Sequence, residues 1–247
     1  MISRFPRLFV AALLVAACAR DAQTKKEVTT QTANGEASTS ISGDSASKRG
    51  EALVRVVNAV PHLNALRVRA DSMHILPTVD YKGVTAYQAI DRNWVGFEVS
   101  ANPDKTFEPL DANRELLNDG HRYTMVVMKD ADGAGFQTRV VRDDISDDMT
   151  RAHLRVIHAA QGIDEVNIMA RGGEQLFSGV NFTSDAGFKD IAPWAGTLEV
   201  RAEDENRLLL TLPRVDLKAG RSYTIVLSRG NKGTLESFWF EDRQSTN

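Results

Sequence analysis

Beyond residue 50, apolar and polar residues alternate with a period of two along short runs of the chain. Val54 and Val56 flank Arg55, Phe97 and Val99 alternate with Glu98 and Ser100, and Leu198 and Val200 alternate with Glu199 and Arg201. Successive side chains of an extended backbone point to opposite faces, so this pattern predicts strands with one buried face. Clusters of Gly, Asn, Asp and Pro bound the runs, as turns require. No stretch keeps a 3.6-residue period long enough for a substantial helix. The pattern predicts an all-β chain.

The pattern is also written twice. At an offset of about 100 residues, Val54-Arg55-Val56-Val57-Asn58-Ala59 lies over Leu154-Arg155-Val156-Ile157-His158-Ala159, and Leu66-Arg67-Val68-Arg69-Ala70 lies over Val166-Asn167-Ile168-Met169-Ala170. Tyr87-Gln88-Ala89-Ile90 matches Phe188-Lys189-Asp190-Ile191, and Trp94-Val95-Gly96 matches Trp194-Ala195-Gly196. Phe97-Glu98-Val99 then matches Leu198-Glu199-Val200, and Leu117 to Thr124 matches Leu217 to Thr224. Ordered matches with drifts of one residue mark a tandem duplication. Each copy has about seven strand-like runs in about 95 residues, the size of a domain whose two sheets bury their inner faces against each other. The copies are placed at 51–148 and 149–247.

Leu117-x-x-Gly120-x-x-Tyr123 recurs as Leu217-x-x-Gly220-x-x-Tyr223. The spacing resembles the tyrosine corner of Greek-key sandwiches, in which a Tyr hydroxyl bonds to nearby backbone at an inter-sheet crossing. Tyr123 and Tyr223 are therefore read as structural corners of two tandem Greek-key, immunoglobulin-like antiparallel β-sandwiches. Val54 to Pro61, then Leu66-Arg67-Val68, then a Gly-x-x-Tyr-Thr strand resemble the DUF4397 family. The resemblance covers residues 52 to about 242, and so both copies. It implies secreted or surface-attached β-domains, often in tandem, with no established activity. The family's first segment usually reads Val-His-Ala-Ser-Pro; His158-Ala159-Ala160 keeps the His but has Gln161, whereas the first copy keeps Pro61 and has Asn58.

The amino terminus is of another kind. Arg4 and Arg7 precede the apolar run Leu8 to Ala17, too short to span as a mature helix and typical of a secretory signal. Val15-Ala16-Ala17-Cys18 resembles a bacterial lipobox, which implies cleavage before Cys18 and acyl chains on its thiol. Two or three such chains hold a protein to a bilayer far better than one. Ala19 in place of Asp favours the outer membrane, by resemblance to diderm lipoproteins. Residues 18–50 are rich in Ser, Thr and charge, with only Val28 and Ile41 as large aliphatics. They read as a disordered tether reaching roughly 30 Å.

Composition narrows the chemistry. The chain has 247 residues, 42% hydrophobic, with net charge -3 and a single Cys. It offers no basic field for nucleic acid, no disulfide, and no thiolate once Cys18 is acylated. None of the five His recurs in both copies, and no His- or Cys-rich metal spacing occurs. His153 and His158 are read, with the others, as surface or strand-end residues. Asp130-Ala131-Asp132-Gly133 lacks the remaining ligands of a calcium loop and reads as a hairpin turn. Asp143, Asp144, Asp147 and Asp148 read as a solvated linker between the copies. No nucleophile elbow or phosphate loop is present. No catalytic residue, metal or cofactor is assigned.

Recognition falls to the aromatics. Trp94 and Trp194, each two residues before a Gly, are either plugs for the open end of each sandwich or matching surface platforms. Phe238-Trp239-Phe240 is apolar on both strand faces, which favours packing against the first copy or a partner-binding strand. Arg55 with Arg155, and Glu98 with Glu199, read as outward-facing members of cross-strand ion pairs. The sequence thus points to a non-enzymatic, lipid-anchored envelope protein that binds an envelope protein or glycan or acts structurally. The alternative is a carbohydrate-active enzyme or hydrolase with a site between the domains. A carrier of small ligands would need a cavity inside one sandwich, against which the full-sized apolar core residues argue.

Overall fold

The computed structural model describes residues 31–33, 36–38, 50–71, 74–101, 109–204, 206–230 and 232–242, and these contain strands but no helix. The chain forms two compact units, Met1–Lys48 and Arg49–Asn247. In the first, β1 (Gln31–Ala33) and β2 (Glu36–Ser38) pair antiparallel. They lie within residues 18–50, the expected tether. Cys18, the signal and the rest of the tether lie outside the described residues.

The second unit holds both copies of the repeat. Copy one consists of β3 (Ala52–Asn58), β4 (Arg67–Ala70), β5 (His74–Ile75), β6 (Gln88–Ile90), β7 (Trp94–Ser100), β8 (Asp111–Leu116), β9 (Arg122–Lys129) and β10 (Phe136–Arg142). Copy two consists of β11 (Ala152–Ala159), β12 (Glu165–Ala170), β13 (Gln175–Asn181), β14 (Lys189–Ile191), β15 (Trp194–Ala202), β16 (Leu208–Leu217), β17 (Ser222–Arg229) and β18 (Leu235–Asp242). The sheets run β6-β3-β9-β10 and β5-β4-β7-β8 in copy one, and β14-β11-β17-β18 and β13-β12-β15-β16 in copy two. The strand order is the same in both. Each copy has eight strands rather than about seven, and one ladder in each is parallel: β3 with β9, and β11 with β17.

The inward positions of the alternation form the cores. Val54, Val56, Val68, Val95, Phe97, Val99 and Met125 are sealed in copy one, and Leu154, Val156, Val166, Ile168, Leu198, Val200 and Leu227 in copy two. Each such side chain contributes about 1.5–3 kcal/mol by leaving water. Both tyrosine corners form: Asn118 N–H donates to the Tyr123 hydroxyl at 2.9 Å, and Lys218 N–H to the Tyr223 hydroxyl at 3.2 Å.

The central strands depart from simple alternation, because β3, β9, β11 and β17 are buried on both faces. Their outward residues meet the other copy. Val57, Ala59, Val126 and Met128 of copy one pack with Ile157, Ala159 and Val226 of copy two, and Phe238 and Phe240 close over the same cluster. Repeat-equivalent positions thus face one another across the interface, as in an isologous dimer contained in one chain.

At the interface lies a buried ionic network. Arg55 and Arg155 are 4% and 0% exposed, which corrects their reading as outward surface residues: each sandwich's outer face is the other copy's cover. Arg55 pairs with Asp242 of copy two, and Arg155 pairs with Asp143 of copy one at 2.6 Å. Each Arg also donates to the Thr of its own copy, Arg55 Nε to Thr124 Oγ1 at 2.8 Å and Arg155 Nη2 to Thr224 Oγ1 at 3.1 Å. Each Thr in turn donates to its own copy's Asp, Thr124 to Asp143 at 2.8 Å and Thr224 to Asp242 at 2.6 Å. Asp143 is therefore not part of a solvated linker. Aromatic faces complete the cage: Phe240 and Tyr87 on Arg55 at 4.6 and 4.7 Å, and Phe188 on Arg155 at 4.4 Å.

Removing one charge leaves this buried network with an unbalanced charge, at a cost of about 3–5 kcal/mol. Arg155→Met should lower unfolding free energy in a denaturant titration by about that amount. Adding Asp143→Asn should recover part of the loss; simple additivity of the two losses would show that the pair is not coupled.

Candidate functional site

The two repeat-related tryptophans do opposite things. In β7 the inward residues are Val95, Phe97 and Val99, so Trp94, Gly96 and Glu98 face outward, and Trp94 is 62% exposed. In β15 the inward residues are Leu198, Val200 and Ala202, and Trp194 is half-buried against the copy-two core. The cause is one residue. Thr197 is inserted between Gly196 and Leu198, and the β15–β16 register jumps there. A shift of one residue on a period of two moves a side chain to the other face. Trp194 folds over Gly196, where a Cβ would overlap its ring. The two do not form a matched pair: Trp194 packs against the copy-two core and Trp94 is exposed.

On the outer face of the β5-β4-β7-β8 sheet, Trp94 stands beside Leu116, its cross-strand neighbour, which is also exposed. Two residues along β7, Gly96 forms the floor of an open hollow of about 400 Å³ lined by Arg69, Asp71, Glu98 and Arg114. A Cβ at Gly96 would meet only Asp71 Oδ1, at an ordinary 3.5 Å. Packing therefore does not require glycine there, and its missing side chain creates the hollow. Strand-interior glycine often marks such close approach. Three of these polar groups, Arg69, Glu98 and Asp71, are held in place. Arg69 Nε donates to Glu98 Oε2 at 2.7 Å, and the Gly96 N–H donates to Asp71 Oδ1 at 3.0 Å. In copy two the corresponding Glu199 accepts from Arg171 at 2.9 Å and Arg201 at 2.7 Å, and those hydrogen bonds hold its pKa below the usual carboxylate range. The cross-strand pairing expected of both glutamates is present.

Trp239 lies on the face of β18 opposite Phe238 and Phe240. Those two cover the inter-copy cluster, while Trp239 is 51% exposed, with its ring 5.8 Å from that of Tyr223. The three tryptophans singled out by sequence thus occupy three different settings.

The histidines differ from expectation at two positions. His62 is exposed, His121 Nδ1 lies 2.9 Å from the Asp119 carbonyl, and His74 stands in β5. His153 and His158, read as surface residues, are 2% and 0% exposed. His153 Nδ1 meets Asp190 at 2.6 Å. His158 Nδ1 accepts from the Ala160 N–H at 3.3 Å, as Asn58 Oδ1 accepts from the Val60 N–H at 2.9 Å in copy one. His158 is therefore a turn-bracing side chain whose counterpart is an amide. The expected Asp130 to Gly133 hairpin turn is present, with the Gly133 N–H donating to the Asp130 carbonyl at 3.1 Å. Among the described residues, no cluster of three or more His, Cys, Asp or Glu could hold a metal ion. The two carboxylates between the copies, Asp143 and Asp242, are buried in ion pairs rather than set along a cleft.

Burial pushes the His158 pKa down from 6.5 to about 4, against smaller opposing effects of the Ile163 backbone and Asp164. Between these values the unfolded chain binds a proton that the folded chain refuses, so stability falls with pH across this window. The expected loss from pH 7 to pH 4 from this group is about 3 kcal/mol. His158→Asn, copying Asn58, should remove that part of the pH dependence in denaturant titrations; an unchanged pH profile would show that His158 does not cause it.

Residues 52–169 match the family DUF4397, a domain of unknown function. The matched span holds all eight strands of copy one and continues through β11 to Met169 in β12. No curated protein matches the chain. Among solved structures, the chain is similar to the C-terminal domain of AlgF from P. aeruginosa, with 19% identity and a TM-score of 0.32 over 38% of this chain and 99% of that one. It is also similar to a family 26 carbohydrate-binding module of Amy13K from Eubacterium rectale, determined with maltoheptaose, with 8% identity and a TM-score of 0.21 over 79% and 98% of the two chains. A cell-adhesion candidate from Bacteroides fragilis NCTC 9343 gives 8% identity and a TM-score of 0.19 over 92% and 93%.

Proposed function

We propose that this protein is a non-enzymatic, lipid-anchored binding module of the bacterial cell envelope, built from two DUF4397-like domains at 51–148 and 149–247. Its ligand is a glycan held on the outer face of copy one. The observation that carries this reading is the exposed Trp94 beside the Gly96 hollow with its polar rim. An indole offers an apolar surface to the C–H face of a sugar ring, and Arg69, Asp71, Glu98 and Arg114 offer hydrogen bonds to its hydroxyls. The Arg69–Glu98 pair is set before any ligand arrives, which limits the ordering cost of binding. Cys18 supplies the anchor, and residues 18–50 set the module off from the lipid surface.

The buried ionisable groups favour a non-catalytic role. Arg55, Arg155, Asp143 and Asp242 satisfy one another between the copies, which leaves no open carboxylate pair there for hydrolysis.

One set of strains tests both halves of the proposal. The wild-type protein should sediment with membranes and incorporate labelled fatty acid, and Cys18→Ser should do neither; membrane retention and labelling of Cys18→Ser would remove the anchor. The soluble Cys18→Ser chain should bind members of a panel of soluble oligosaccharides and peptidoglycan fragments. Trp94→Ala, or Gly96→Val filling the hollow, should weaken that binding by about tenfold or more, whereas Trp194→Phe should not. Saccharide binding indifferent to Trp94→Ala and Gly96→Val, or absent from the parent chain, would overturn the assignment.

A further inference from the structure

The two copies diverge most at one sandwich edge. In copy one, β8 sets Glu115, Asn113 and Asp111 opposite the inward Val95, Phe97 and Val99, so polar side chains line that edge. In copy two, β16 sets Leu212 and Leu210 opposite the inward Leu198 and Val200, and Val215 opposite Gly196. The same edge has become apolar.

β16 also breaks step there. Val215 pairs with Gly196 and Leu212 with Leu198, so Pro213 and Arg214 together oppose the single residue Thr197. This is a bulge, the place in a strand where a missing Pro N–H is tolerated. Arg214 sits at φ 58°, a left-handed conformation rare for a side chain of its size. Beside the bulge a crevice of about 190 Å³ reaches into the copy-two core, with Leu154, Leu217 and Ile225 along its wall. Its mouth is set by Trp239, Arg214 and Ser237.

The mouth has a definite chemistry. Trp239 lies opposite Ile225, where copy one has Val140 opposite Met125, so the indole belongs to copy two alone. It is half-exposed and tilted at 46° to the Tyr223 ring. Arg214 is exposed and makes no ion pair or hydrogen bond among the described residues. Thus a slot with Leu154, Leu217 and Ile225 on its inner wall and Thr211 and Ser237 among its polar lining, an aromatic lip and an uncommitted cation converge on one opening.

We propose that this crevice is a binding site for a small aromatic carboxylate, with its ring in the slot under Trp239 and its carboxylate on Arg214. The volume sets the size, since a cavity of about 150 Å³ accommodates a benzene ring. The charge of Arg214 sets the head group, because guanidinium recognises carboxylate in a planar, two-pronged geometry. The site is separate from the Trp94 face and independent of the glycan reading. It also revises the expectation that the apolar core residues leave no room inside a sandwich. The room comes from a bulge that no count of core residues would reveal.

The test uses the full chain carrying Cys18→Ser, with 3-phenylpropionate as probe and the neutral 3-phenylpropanol as its uncharged counterpart, read by ligand-observed NMR and calorimetry. Saturable phenylpropionate binding is expected, weakened about tenfold or more by Trp239→Ala. Arg214→Gln, a surface change with no partner to lose, should weaken phenylpropionate about tenfold and leave phenylpropanol unchanged. Trp94→Ala should leave both unchanged. Absence of saturable binding, or binding insensitive to Trp239→Ala, would overturn the site. Equal effects of Arg214→Gln on acid and alcohol would overturn the carboxylate assignment.

Discussion

The reciprocal ion pairs between the copies, Arg55 with Asp242 and Arg155 with Asp143, are the constraint on which the rest of the structure depends. A buried guanidinium is tolerable only with a carboxylate and enough acceptors around it. Here the carboxylate comes from the other copy, while the Thr that braces it comes from the same copy. Within copy one, Asp143 also lies 3.6 Å from Arg55, so the two pairs form one network rather than two separate bridges. The apolar cluster of Val57, Ile157, Val126 and Val226 then packs around a fixed register. Tyr81 and Lys82 add contacts at the rim, to the Arg229 carbonyl at 3.2 Å and to Glu236 at 2.7 Å.

Because that interface consumes one outer face of each copy, only the faces away from it are free to change. There the duplication has been altered by small local means. One added residue, Thr197, turns Trp194 into the core and leaves Trp94 as the exposed member of the pair. The same residue faces the Pro213-Arg214 bulge across the β15–β16 ladder, so a single irregularity both buries an aromatic and opens the crevice under Trp239. Copy one retains a flat charged face with a glycine hollow. Copy two gains a crevice beside its bulge. Two surfaces of different chemistry arise from one repeat without any change in strand order.

Much of this was legible in the sequence, and the failures have a common physical origin. Period-two alternation around Val54, Phe97 and Leu198 identified strands and their inward sides, and the Leu-x-x-Gly-x-x-Tyr spacing located both corners. Alternation tells which face a residue occupies but not what covers that face. Arg55, Arg155 and Asp143 were therefore assigned to solvent, although recurrence of an Arg at equivalent positions could have suggested a shared buried role. The insertion of Thr197 was visible as a drift of one between Gly196 and Leu198. Its consequence for Trp194 needed the parity of the strand to be followed through that drift. The crevice depends on how Thr197 registers against Pro213 and Arg214 in another strand, which no local pattern encodes.

The claim that the copies form one cooperative body through their shared charged interface has a direct test. Equilibrium unfolding of the Cys18→Ser chain can be followed at one reporter in each copy, Trp94 after Trp194→Phe and Trp239→Phe, and Trp194 after Trp94→Phe and Trp239→Phe. Coincident transitions with equal midpoints are expected, with both reporters shifted together by Arg155→Met. Two separated transitions, or an Arg155→Met effect confined to the copy-two reporter, would contradict it.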